Sequence, residues 1–163
     1  MLITALSSTA KKKIAVVGGG ASGIFAAIHA AEQKHTLVTV LEATSNTLQK
    51  VKISGGGRCN VLHDTSKPIP TILTGYPRGS KELFGLYQKR FSPTMAREWF
   101  ECRGVELKTE DDGRMFPTTD SSQTILDVLM KAAKSEGVNM RMRHKVEYIM
   151  RRDDGLFTKD HQL

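Results

Sequence analysis

IAVVGGGASG, residues 14–23, is a short, mostly β-branched apolar run that breaks on three glycines and leads into an Ala-rich segment, Ala21 to Lys34, with helical spacing. Strand, tight turn and helix are the expected succession. Leu37 to Leu41 (LVTVL) supplies a second compact apolar strand. Neither strand alternates polar with apolar residues, the pattern of strands covered by helices on both faces of a parallel sheet. The intervening helix provides the right-handed crossover such a sheet requires. The predicted fold class is therefore α/β, with a doubly wound parallel sheet.

Within that frame Gly18, Gly20 and Gly23 form the spacing GxGxxG, between a predicted strand and a predicted helix. Gly18 permits the sharp turn, Gly20 removes a side chain where a pyrophosphate approaches the backbone, and Gly23 lets helix and strand pack closely. The helix N-terminus turns unpaired N–H groups and a positive dipole end toward the phosphates, so no lysine is needed in the turn. Glu42 follows Gly18 by 24 positions, at the end of the second strand. An acid there accepts hydrogen bonds from the adenosine ribose and disfavours a 2′-phosphate. These features predict a Rossmann-like domain that binds a dinucleotide, FAD or NAD. The plain alternative is a glycine turn that binds nothing, with Glu42 an ordinary strand-end acid.

A second glycine cluster lies in KVKISGGGRCN, residues 50–60. Gly55, Gly56 and Gly57 expose successive backbone N–H groups, and Arg58 adds a permanent positive charge, a combination suited to an anion or a polarised ring carbonyl. On physical grounds alone a flexible surface turn with a solvated arginine accounts for it equally well. Cys59 has no partner cysteine or adjacent histidine, so it reads as a packing or contact residue and not a nucleophile.

Taken together, IAVVGGGASGIFAAI, Glu42, KISGGGRCN and DGRMFP with Asp120 beyond it resemble the N-terminal part of the BaiN-like flavoproteins, also described as the aminoacetone-oxidase-like family. SGGGRCN is the more diagnostic block, because many nucleotide-binding families share the first fingerprint. The resemblance implies an FAD-dependent oxidoreductase built on a Rossmann-like FAD domain with an inserted subdomain and a β-meander hairpin. It assigns Gly18, Gly20, Ala21, Ser22 and Gly23 to the pyrophosphate and Glu42 to the ribose. Ser54, Gly55, Gly56, Gly57, Arg58, Cys59 and Asn60 fall to the flavin side, and Val146 in HKVEYI to the adenine. Arg114 to Pro117 and Asp120 match a segment of the insertion whose role is unassigned; Arg114 reads equally as a hairpin arginine after Asp112 and Gly113. Two departures stand out. Val61, Leu62 and His63 replace the polar Thr and Asn that usually follow GRCN, and the chain covers less than half of a typical member, stopping before the segments that ordinarily complete the FAD pocket. A partial FAD-binding domain over residues 13–163, after a disordered tail of residues 1–12, is the expected organisation.

The remaining chain constrains less. Its 163 residues, 39% hydrophobic and 25% charged, suit one folded domain, and no apolar run approaches a membrane span. The net charge of +7 is concentrated before Leu62, and Lys11 to Lys13 serve solubility more simply than polyanion binding, so nucleic acid is not the expected partner. Two cysteines without CxxC spacing, and in MLITALSSTA an apolar stretch too short for a secretory signal and with no charged residues ahead of it, point to a reducing, cytoplasmic setting, with organellar targeting left open. Residues 43–79 read as irregular. Ser92 and Pro93 start a helix that Gly104 stops, with Met95, Trp99 and Cys102 on one face, and a second helix runs from Ser122 to Glu136 before Gly137. From Met140 to Met150 the alternation predicts a strand, continued through the Asp153-Asp154-Gly155 turn as a hairpin. His29, His35, His63, His144 and His161 show no metal-ligand spacing, and no catalytic residue is assignable. A small-molecule substrate and NAD(P)H as electron donor are the expected partners. The rival readings are an NAD-dependent dehydrogenase, which leaves SGGGRCN unexplained, and a catalytically silent nucleotide-binding fragment.

Overall fold

A computed structural model describes residues 11–152 and 155–158. In chain order the elements are β1 (Lys12–Val17), α1 (Ala21–Ala31), β2 (Thr36–Leu41), α2 (Gln49–Ile53), a 3-10 turn (Ser54–Gly57), β3 (Leu62–His63), α3 (Ile69–Leu73) and α4 (Ser80–Lys89). They continue with α5 (Pro93–Glu101), β4 (Leu107–Thr109), β5 (Arg114–Pro117), α6 (Ser122–Ser135), β6 (Asn139–Arg141), β7 (Ile149–Arg152) and β8 (Gly155–Thr158). The chain divides into two compact units, one formed by residues 1–49 and 129–163, the other by residues 50–128.

In the first unit β1 and β2 pair in parallel from Lys12↔Thr36 to Val17↔Leu41, and β6 joins the other side of β2 in parallel from Thr39↔Asn139 to Leu41↔Arg141. The strand order is β1-β2-β6. α1 is the crossover between the first two strands and buries Ile24, Ala27 and Ile28 completely. Val38, Val40 and Leu41 of central β2 are buried as well. The matching apolar composition of the two strands predicts matching burial, yet Val17 of β1 is 53% exposed. β1 has one strand neighbour among the described residues, whereas β2 has two.

The alternating segment after Gly137 divides differently from the expectation. Asn139–Arg141 becomes a parallel strand, residues 142–148 form no strand, and only β7 and β8 pair as an antiparallel hairpin, from Ile149↔Thr158 to Arg152↔Gly155. Alternation marks an extended chain without naming its partner, and here the left-handed backbone of Arg143 (φ 59°) ends the run. Main-chain bonds from Glu42 N to Arg141 O (2.8 Å), Arg143 N to Thr44 O (2.9 Å) and His144 N to Glu42 O (2.8 Å) then tie the segment to the end of β2. The predicted turn at Asp153 and Asp154, like His161 and residues 1–10 of the predicted tail, lies outside the described residues. Lys12, assigned to that tail, opens β1.

The second unit holds an antiparallel sheet of order β3-β5-β4. Met115 and Phe116 of central β5 are fully buried, and Trp99 and Phe100 of α5 are nearly so. Residues 43–79, expected to be irregular, contain α2, the 3-10 turn, β3 and α3. Each is five residues or fewer, too short for periodicity to reveal. Both end signals of α5 are realised: Ser92 Oγ accepts from Met95 N at 3.1 Å, and Gly104 adopts φ 83°. The inward face is turned from the expected one, with Trp99 and Phe100 buried while Met95 and Cys102 are exposed. α6 buries Ile125, Val128, Leu129 and Ala133, and Gly137 beyond it takes φ 71°. Among the described residues no helix is long and apolar enough to cross a membrane.

Candidate functional site

The turn from β1 into α1 is a main-chain feature throughout. Gly18, at φ 99°, donates its N–H to Leu41 O at 2.8 Å, which anchors the turn to the neighbouring strand. A Cβ on Gly18 or Gly20 would meet nothing within 4 Å, so the space over the turn is open. A Cβ on Gly23 would lie 1.9 Å from Gly18 O and 3.5 Å from Val16 Cγ1, so helix and strand touch there. Gly20 is the N-cap of α1 in an extended conformation (φ −77°, ψ −177°) without a side-chain cap. The N–H groups of Ala21, Ser22 and Gly23 have no acceptor one turn back in the helix. Exposed main-chain donors, the positive end of a helix dipole and an unobstructed space above them fit a diphosphate.

Glu42 points into this turn. Its Oε2 accepts Gly19 N at 2.7 Å, and Oε1 accepts Thr44 N and Thr44 Oγ1, each at 2.8 Å. The Thr44 N–H, then that of Gly19, then the Thr44 hydroxyl hold the carboxyl below its ordinary range. A carboxylate offers roughly four lone-pair directions, so a direction remains for a sugar hydroxyl. Sequence reading overlooked the fastening role of this acid. It also passed over Gly19, the glycine outside the GxGxxG pattern, where a Cβ would stand 2.5 Å from Thr47 Cγ2 and 3.1 Å from Glu42 Oε2. Leu48, fully buried at φ 58°, donates its N–H to Gly19 O at 2.8 Å and completes the support. No motif announces Thr44, Thr47 or Leu48.

In the second unit Gly55, Gly56 and Gly57 all take left-handed conformations (φ 56°, 67° and 86°), and so does Cys59 (φ 61°). A Cβ on Gly55 would sit 2.9 Å from both Asn60 N and Phe116 Cε1, so that glycine is required by contact as well as by dihedral. Ser54 Oγ donates to Val51 O at 3.0 Å, and Cys59 N donates to Ser54 O at 3.0 Å. Burial pushes the Cys59 thiol up, away from the thiolate a nucleophile needs. With its amide turned to donate, Asn60 reaches Met115 O at 3.2 Å and Leu62 O at 2.8 Å.

Arg58 is not the solvated arginine of the plain alternative. Its Nη1 lies 2.5 Å from Glu110 Oε1 and 3.5 Å from Asp120 Oδ1, and the guanidinium stacks 4.0 Å from the centre of the Phe116 ring. Two carboxylates already answer its charge. Asp120 also receives Lys108 Nζ at 2.5 Å, the main reason its carboxyl sits below the ordinary range. Arg114 is a hairpin arginine after the left-handed Gly113 (φ 86°), with Nε 2.7 Å from Asp112 Oδ2. Val146 is half-buried and precedes β7 instead of opening it. Among the described residues no group of three or more His, Cys, Asp or Glu could hold a metal ion.

The HI0933-like protein Rossmann domain family matches residues 12–162. Among curated proteins, the 3-dehydro-bile acid delta(4,6)-reductase of Clostridium scindens is 27% identical over 157 residues, covering 91% of this chain and 37% of the relative. The ribosomal RNA dihydrouridine synthase of Escherichia coli is 27% identical over 145 residues, covering 89% of this chain and 34% of the relative. The chain thus spans little more than a third of the length of these relatives. Among solved structures, Thermovibrio ammonificans THI4 superposes with a TM-score of 0.57 at 13% identity, over 91% of this chain and 45% of that one, a likeness of fold.

Proposed function

Since the chain belongs to the HI0933-like Rossmann domain family, we propose that it is the cofactor-binding portion of an FAD-dependent oxidoreductase. The observation that carries the reading is the open glycine turn, with bare main-chain donors at the start of α1 and the Glu42 carboxylate fixed against Gly19. In this reading the N–H groups of Ala21, Ser22 and Gly23 neutralise the diphosphate and Glu42 accepts a ribose hydroxyl. Ser54 to Asn60 serve the flavin side, with their main chain instead of the Arg58 charge, and Val146 meets the adenine. Bound FAD would supply two-electron redox chemistry, and the protein would supply placement and electrostatics.

NAD(P)H is the electron donor we favour and a small molecule the substrate, in a cytoplasmic setting compatible with the free thiols Cys59 and Cys102. The two curated relatives are named for different substrates, a bile acid and ribosomal RNA, so neither is carried over. Purified protein supplemented with FAD and freed of excess ligand should keep the yellow colour and the two flavin absorption bands. Colourless protein that binds NADH would replace this reading with the dehydrogenase alternative, and protein that binds neither dinucleotide would leave a silent domain.

A further inference from the structure

The loop of residues 54–60 holds a backbone that its own sequence does little to impose. Gly55, Gly56 and Gly57 are left-handed, and glycine leaves the unfolded chain many other choices. Cys59 is left-handed as well, a conformation that a residue with a Cβ keeps only where its surroundings enforce it. Two main-chain bonds close the loop on itself, from Cys59 N to Ser54 O at 3.0 Å and from Arg58 N to Gly55 O at 3.4 Å. Further restraint comes from the antiparallel sheet of the same unit. The fully buried Phe116 of β5 meets the loop twice. A Cβ on Gly55 would lie 2.9 Å from its ring, and the Arg58 guanidinium stands 4.0 Å from the ring centre.

Glu110 follows β4 and Asp120 follows β5, and both carboxylates converge on that guanidinium, 2.5 Å and 3.5 Å from Nη1. Each acid has a second cation beside it: Lys108 Nζ lies 2.5 Å from Asp120 Oδ2, and Arg114 Nη2 lies 3.7 Å from Glu110 Oε2. Asp120 is itself left-handed (φ 51°), a conformation that aspartate tolerates better than most residues. A lone ion pair at a surface contributes little, because water competes with it and two long side chains must be ordered. Here an aromatic ring orders the guanidinium, and carboxylates from two separate segments share it.

We propose that Glu110 and Asp120 are positioning residues of the glycine loop. By holding Arg58 against Phe116 they keep residues 54–60 in their left-handed conformation, and Arg58 serves as the anchor of the loop instead of a ligand for an anion. That the glycine N–H groups face a flavin rests on the proposed function; the fastening of the loop does not. Charge alone and this latch differ in sign. Replacing both acids by amides removes two negative charges beside Arg58, which by charge alone would strengthen an anionic dinucleotide and raise the reduction potential of bound FAD. The latch gives the reverse for both, because the main-chain donors lose their fixed place.

Amide hydrogen exchange of the full chain without FAD, followed by NMR, reads the loop through the Arg58 and Cys59 N–H groups. Glu110→Gln combined with Asp120→Asn should speed exchange at both by about threefold to fivefold and leave Val40, in the centre of β2, unchanged. Glu101→Gln is the matched control: it removes the similarly exposed Arg97–Glu101 pair of the same unit and should leave the loop unchanged. Raising salt from about 0.05 M to about 0.5 M should loosen the parent loop in the same direction, a measurement that needs no variant to fold. With FAD added, the double variant should bind about threefold or more weaker and hold the flavin at a lower potential. Unchanged loop exchange in the folded double variant or in the parent at high salt would overturn the proposal. So would tighter FAD binding with a raised potential, the signature of Arg58 as an anion ligand. A loop that loosens as expected in protein that binds no FAD would overturn only the proposed function.

Discussion

Gly20 and Gly23 stand three residues apart in one motif, and the structure gives them opposite reasons for being glycine. At Gly20 the backbone is extended, at an ordinary negative φ, and a Cβ would meet no atom within 4 Å. Gly20→Val should therefore fold, losing no more than about 1 kcal/mol for a poorer N-cap. Its side chain would fill the space above the donors of α1. Charge-assisted hydrogen bonds are each worth about 1.5–3 kcal/mol. Displacing a diphosphate from two of them would cost about 3–6 kcal/mol, or about a hundredfold to ten-thousandfold in Kd. At Gly23 a Cβ would stand 1.9 Å from Gly18 O, where ordinary contact begins at 3.4 Å. Helix and turn would have to separate by about 1.5 Å, an overpacking cost of about 1–3 kcal/mol or more. Gly23→Ala should therefore lower Tm by several degrees, and weakened cofactor binding would accompany it. Thermal unfolding by circular dichroism and FAD titration on both variants read the two effects separately. Undiminished FAD binding by folded Gly20→Val, or an unchanged Tm for Gly23→Ala, would refute the reasoning.

The Glu42 carboxyl titrates below its ordinary value because the Thr44 and Gly19 N–H groups and the Thr44 hydroxyl favour its charged form. A depressed folded pKa means that its stabilisation is complete above the unfolded pKa and disappears as pH falls through the folded one. Unfolding of Glu42→Gln followed across the acid range should converge on the parent at low pH and diverge above it; parallel curves would contradict this. Ser92→Ala removes the bond from Met95 N to the Ser92 hydroxyl and should cost about 1 kcal/mol, read as a lower denaturation midpoint at unchanged m-value.

The features legible in the sequence were those set by neighbouring residues. β1, its turn, α1 and β2 lie within thirty positions, and one glycine spacing defines them. Ser92, Gly104 and Gly137 signal helix ends through chemistry that acts within a few residues. What escaped depends on distant partners. β6 finds β2 about 100 residues back in the chain, and alternation around Met140 could not reveal that neighbour. Arg58 looked free because Glu110 and Asp120 lie 52 and 62 positions ahead. The inward face of α5 was turned because Trp99 and Phe100 follow one another, a pair that helical spacing places on no common stripe.

The bond from Gly19 to Glu42 would join cofactor selectivity, if Glu42 holds the ribose as proposed, to the architecture of the turn. Lineages of dinucleotide proteins can change preference between unphosphorylated and 2′-phosphorylated cofactors by replacing the strand-end acid. In this chain such a replacement would also strip the main-chain donors of Gly19 and Thr44 of their acceptor, so a shift in preference would require a second, compensating change nearby. The fastening gives the acid a structural duty in the turn that is separate from any sugar it would hold.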